Sequence, residues 1–173
     1  MAVLISRRSL VIDSWRALDG DPGRWLLPTE SGLLAELPPG DLIVPLAVWR
    51  VRAGDLDGRA RRGVRIPAAA GPEAIAADLA RLDLVALDIA AATDGRASSA
   101  ARLLRERYGF RGELRAAGAV VRDQLALLER CGFDSFELPD GADLAAVRAA
   151  FFEIGAVYQA DAGARFGRRR VAA

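Results

Sequence analysis

The sequence contains no lysine, no histidine and no asparagine, so its 24 positive side chains are all arginines. Each absence removes a class of chemistry. A Walker-type phosphate loop lacks its lysine. A Schiff base to a carbonyl substrate lacks its amine. Ser-His-Asp and Cys-His nucleophile systems lack their base. Catalytic zinc sites lack their usual imidazole ligands. A single cysteine, Cys131, permits no intrachain disulfide and no multi-cysteine metal site, and the expectation is that no metal is held. Cys131 falls near the end of a helical pattern, where the dipole does not favour a thiolate, so it reads as a small buried hydrophobe. What remains is carboxylate chemistry, tyrosine, one thiol and arginine as a fixed cation.

Aromatic residues are also scarce, at 6% against 52% hydrophobic and 27% charged residues. A globular core must therefore be built largely from Leu, Val, Ile and Ala. Net charge is +1, which argues for neither nucleic acid nor a membrane surface as partner. No apolar run is long enough to span a bilayer. The pair Arg7–Arg8 in SRRSL is followed by VIDSWRALDGD, which contains Asp13 and no long apolar region. That stretch reads as the start of a cytoplasmic protein rather than an export signal. The length of 173 residues suits one domain. We assign a single α/β domain to 1–163 and a basic, frayed tail, ARFGRRRVAA, to 164–173.

The order of patterns indicates the fold class. VLISRRSLVIDSW reads as two short strands around a polar turn. The apolar run Leu42 to Trp49 reads as a strand, with Pro45 at its start or on an edge. Residues 53–63 read as an exposed loop, and GVRIP as a short strand. From Gly71 the pattern becomes regular. GPEAIAADLARL is a helix with Pro72 in its first turn. LVALDIA is a strand covered on both faces. A helix is predicted from about Ser98 to Tyr108, with Ala100, Leu103, Leu104 and Tyr108 on one face. GELRAAG is a strand, VVRDQLALLERCG a helix stopped by Gly132, DSFEL a strand, and DLAAVRAAFFEIGAVYQ a helix capped by Asp143. This alternation predicts an α/β fold with a mostly parallel sheet and crossover helices. The sheet is open or partial-barrel-like, because a complete eight-fold barrel needs about 250 residues. Antiparallel N-terminal strands are expected at an edge.

Ligands of parallel α/β sheets gather at the carboxyl ends of the strands. One such edge carries TDGRASS, where Gly95, Arg96, Ser98 and Ser99 surround a helix start. Together with Arg115 and Gly118 of the next strand they form a candidate anion site, combining helix amides, hydroxyls and bidentate guanidiniums. A small oxyanion such as sulfite, sulfate or phosphate suits it. Asp94 and Asp123 are the candidate acid or base, on the condition that burial raises their pKa. A structural reading stands beside this one: Asp94 or Ser98 caps the helix, Arg96 pairs with Asp94, and Asp123 answers a helix dipole. A third edge segment, ELPDGAD, adds Glu137, Asp140 and Asp143.

From Asp94 to Leu138 the segments DGR, ARLLRERYG, GELRA, RDQL and RCGFD occur in order, with looser likeness at DSW and YQ. In these segments the chain resembles a bacterial family, domain-of-unknown-function family 934. Its members are often labelled oxidoreductases involved in sulfite reduction. The resemblance implies sulfur assimilation, as an accessory protein whose partner is sulfite reductase or its electron donor. The chain departs from the family pattern at Ala97, Ser98 and Ala119. It also has no dinucleotide glycine fingerprint, too few cysteines for an iron–sulfur cluster and no histidine for haem, so no cofactor of its own is expected. Three functions follow as expectations. The leading one is partner docking or oxyanion binding, with Arg102, Arg105, Arg107 and Arg111 as a basic surface for an acidic electron carrier. The second is a small enzyme with carboxylate acid/base groups and Arg clamps. The third is a structural or oligomerisation module. The oligomeric state stays open.

Overall fold

The computed structural model describes residues 3–6, 8–18 and 20–153. Residues 164–173 and the pair Tyr158–Gln159 lie outside them. The chain opens with strands β1 (Val3–Ser6), β2 (Ser9–Val11) and β3 (Arg16–Ala17), then the short helix α1 (Gly23–Leu26). Strand β4 (Leu42–Pro45) runs directly into α2 (Leu46–Arg52), and β5 is Arg62–Pro67. A tight 3-10 helix over Pro72–Arg81 leads to β6 (Leu84–Ile89). Then come α3 (Arg96–Glu106), β7 (Glu113–Gly118), α4 (Leu125–Cys131), β8 (Ser135–Leu138) and α5 (Leu144–Ala150).

All eight strands form one sheet in the order β2-β1-β8-β7-β6-β5-β4-β3. From β3 to β8 each strand lies parallel beside its predecessor. The winding never reverses, so right-handed crossovers stack the connections on one face. Beyond β8 the sheet is extended by β1 and β2, both antiparallel to their neighbours. The expected mostly parallel sheet with N-terminal antiparallel strands is therefore present, curled into a half-barrel.

The curl follows from chain length. Strands β2 and β3 are at opposite edges of the sheet, yet only residues 12–15 separate them. Seven steps of about 4.8 Å would place these edges about 34 Å apart in a flat sheet. Five residue steps span at most about 18 Å. The two edges must turn towards each other, and residues 12–15 cross between them.

The outer face of the sheet carries the main core. Val44, Val64, Ile66, Val85, Leu87, Leu114, Ala116 and Phe136 pack there under Ala101, Leu104, Leu125, Leu128 and Val147 of the helices. Cys131 is part of this core, as a buried hydrophobe. The inner face has a small apolar cluster of Trp15, Ile43, Leu84 and Ala86.

Several local expectations are corrected. The run Leu42 to Trp49 is half strand and half helix. Pro45 ends β4 and caps α2, a position that suits its fixed φ and missing N–H. A continuous apolar run does not distinguish a buried strand from a buried helix. Residues 53–63 are not simply an exposed loop: Ala53–Leu56 forms a 3-10 turn with Leu56 fully buried, and Arg62–Gly63 belong to β5. Helix α3 begins at Arg96 rather than Ser98, because Asp94 turns the chain early by accepting the Arg96 N–H at 3.0 Å. Gly132, with φ 113°, ends α4 as expected. Asp143 caps α5, its carboxylate accepting the N–H groups of Ala145 and Ala146.

Candidate functional site

The loop from β6 into α3 holds most of the predicted anion site. Asp94 accepts two hydrogen bonds from the Arg96 guanidinium, each at 2.8 Å, in addition to the Arg96 amide. Its side chain is only 10% exposed. The Arg96 side-chain and backbone hydrogen bonds hold the Asp94 carboxyl below the usual carboxylate range, against the effect of burial. Asp94 is thus fixed as an anion. The raised pKa that a general base there requires is absent. Gly95 caps α3 without a side-chain acceptor, Ser98 is half-buried, and the exposed Ser99 hydroxyl reaches back to the Gly95 carbonyl. Gln124 donates to the Ala92 carbonyl and ties the β7–α4 connection to this loop.

Arg115 stands elsewhere. It sits in the middle of β7, opposite Ala86, and points to the inner face of the sheet. There it is 1% exposed and already engaged. It donates to Asp13 at 2.6 and 3.2 Å and to Glu113 at 2.9 and 3.1 Å, with Glu137 at 3.6 Å. Burial opposes its charge, but the hydrogen bond with Asp13 and the charges of Glu113 and Asp13 outweigh that cost, and its pKa is raised. Ser135 donates to Glu113 at 2.6 Å. Arg65 of β5 bridges Glu137 at 3.0 Å and Asp88 at 3.7 Å. The inner face therefore holds one network of two guanidiniums, four carboxylates and a hydroxyl. Its formal charge is −2, from the four carboxylates of Asp13, Asp88, Glu113 and Glu137 against Arg65 and Arg115. That balance disfavours an oxyanion. Gly118 closes β7 with φ 82°, and a Cβ there would lie 2.5 Å from the Ile89 carbonyl oxygen. It is a close-packing glycine between β6 and β7.

A family described as "Bacterial protein of unknown function (DUF934)" matches residues 63–167. The chain belongs to this family. No curated protein and no solved structure matches it. The DUF934 match begins at β5 and takes in the whole segment Asp94 to Leu138. It includes Arg65, Asp88, Glu113, Arg115 and Glu137 of the inner network, while Asp13 precedes it. The structure of this DUF934 protein thus completes the network with a residue from outside the matched segment.

The remaining predicted residues separate into distinct environments. Asp123 is 84% exposed and pairs with Arg122 at 2.9 Å, so the burial needed for a general base is missing. Arg102, Arg107 and Arg111 are exposed. Arg105 is not part of that surface. It is buried, donating to the carbonyls of Gly132, Phe110 and Gly112 and pairing with Asp134. Its helix position turns it inward against the β7–β8 side, where it satisfies loop carbonyls that would otherwise be unpaired. Sequence reasoning missed four members of the inner network: Asp13 and Glu113, which pair with Arg115, and Arg65, which joins Glu137 to Asp88. A signal existed: polar or charged residues recur at every second position within core strands, as in Glu113 and Arg115 or Ser135 and Glu137, and that spacing places them on one face. Among the described residues, no group of three or more His, Cys, Asp or Glu side chains is arranged to hold a metal ion.

Proposed function

We propose that this protein is an accessory component of assimilatory sulfite reduction that acts by docking to the reductase or its electron donor. The sulfur-assimilation part rests on the family resemblance. The docking part rests on one observation: Arg102 is exposed on α3, Arg107 is exposed at its C-cap, and exposed Arg111 lies just beyond. Such guanidiniums suit an acidic partner surface, where complementary charge raises the association rate and sets orientation. The alternatives are less well supported. Both guanidiniums of the predicted oxyanion site are already committed, Arg96 to Asp94 and Arg115 to Asp13 and Glu113. Both candidate acid/base groups lack the environment that role needs.

The test is a pull-down from a strain grown on sulfate, at about 0.15 M salt, where surface charges still act over about 8 Å. Sulfite reductase or its electron donor should be recovered with the native chain. The Arg102→Glu/Arg107→Glu variant should reduce recovery at least tenfold while keeping the native melting temperature. A deletion strain should grow on cysteine and poorly on sulfate. Normal growth of that strain on sulfate, with no recovered partner, would overturn the proposal.

A further inference from the structure

A different part of the surface also carries positive charge. A pocket of about 460 Å³ opens beside β3, lined by Trp15, Arg16, Ala17, Arg24, Trp25 and Pro38 among others. Its size lies within the range of small-ligand clefts, about 300–1,000 Å³. Two features make it a candidate ligand site.

The first is the state of its cations. Arg16 and Arg24 are exposed, and among the described residues neither forms an ion pair. Among the described carboxylates around it, Asp13 pairs with Arg115 and Asp41 with Arg61, while Asp21 accepts the Gly23 amide at 2.9 Å. Arg24 lies 5.0 Å from the Trp25 ring centroid, which orients it without neutralising it. The second feature is the wall. Trp15 and Trp25 are 9% and 7% exposed, and the Arg61 guanidinium lies 4.7 Å from the Trp15 ring centroid, so packing holds both indoles and leaves only a small part of each open. Along β3, the N–H groups of Arg16 and Leu18 donate to Asp41 and Ile43 on the β4 side. Strand alternation then turns the Ala17 N–H to the free edge, on the pocket wall.

We propose that this pocket binds a small organic anion, an oxyanion group carried on a flat or aromatic body. The two guanidiniums and the Ala17 amide hold the oxyanion through charge-assisted hydrogen bonds. The small open parts of the two indoles border the flat body, and the Arg24 guanidinium over Trp25 can stack on it. This inference goes beyond the docking function and uses none of its residues, so either can fail without the other.

Trp15 and Trp25 make the pocket its own reporter, and fluorescence titration with defined probes tests the proposal. Naphthalene-2-sulfonate, naphthalene-2-carboxylate and 2-naphthyl phosphate carry the three oxyanion types on one ring, and 2-naphthol carries the ring without the anion. At least one anionic probe should quench saturably with a Kd at least tenfold below that of 2-naphthol. The Arg16→Gln/Arg24→Gln variant should lose at least tenfold in that affinity, while Arg50→Gln, on the exposed face of α2, should change it less than twofold. Equal binding of 2-naphthol and the anions, or full affinity in the double variant, overturns the proposal. Should the double variant melt early, the comparison of probes on the native chain decides alone.

Discussion

Asp94 shows how a single ion pair settles the role of a side chain. Its position at a strand end and helix start suited either a catalytic acid/base or a turn-forming anion. The Arg96 fork and amide select the second. Because the folded pKa lies below the ordinary carboxylate value of about 3.9, the pair stabilises the fold above that pH. The contribution is lost as pH falls through the lowered folded pKa. Asp94→Asn keeps an acceptor for the Arg96 amide and removes only the charge. The variant should melt below the native chain above about pH 5, and the difference should shrink to nothing in strong acid. A difference that grew on acidification would contradict this assignment. The same residue-scale logic separates Arg105 from Arg102 and Arg107. Composition treats them alike, but burial makes Arg105 a fastener of loop carbonyls and leaves the other two on the surface.

Among elements, the pairing of β6 with β7 is the most demanding. Gly118 takes a positive φ at the end of β7, where Ala119 donates to the Ile89 carbonyl at 2.8 Å. A side chain there meets both the strained backbone region and the Ile89 backbone itself. Gly118→Ala should therefore cost about 2 kcal/mol, measured by urea unfolding. A neutral result would mean that the β6–β7 pairing relaxes around a Cβ. Sequence pattern served well for this part of the chain. Pro72, Gly132 and Asp143 marked helix ends through local backbone chemistry, β6 was legible from its apolar run, and β7 and β8 from short segments between helical patterns. It served less well for β4 and α2, where one apolar run contains both a strand and a helix divided at Pro45.

On the scale of the whole molecule, the inner-face network joins distant parts of the curled sheet. Arg115 links the crossing segment through Asp13, its own strand through Glu113, and β8 through Glu137. Arg115→Met would leave three carboxylates facing one another around a buried apolar side chain. Removing one partner of a buried ionic network costs about 3–5 kcal/mol. The lower end is expected here, because those carboxylates are 19–34% exposed. Denaturant unfolding of the variant should show a loss of about 3 kcal/mol with an unchanged m value. A loss under about 1 kcal/mol would show that solvent already screens the network.

The sequence by itself determined the fold class, the absence of lysine and histidine chemistry, and the likeness to the family to which the chain belongs. These depend on composition, local periodicity and motif order, all of which are properties of neighbouring residues. The tertiary structure decided which charges meet. Asp13 and Arg115 are 102 positions apart, and Arg65 and Glu137 are 72 apart. Such pairs come together only because the four-residue crossing from β2 to β3 forces the sheet to curl and turns one polar face inward.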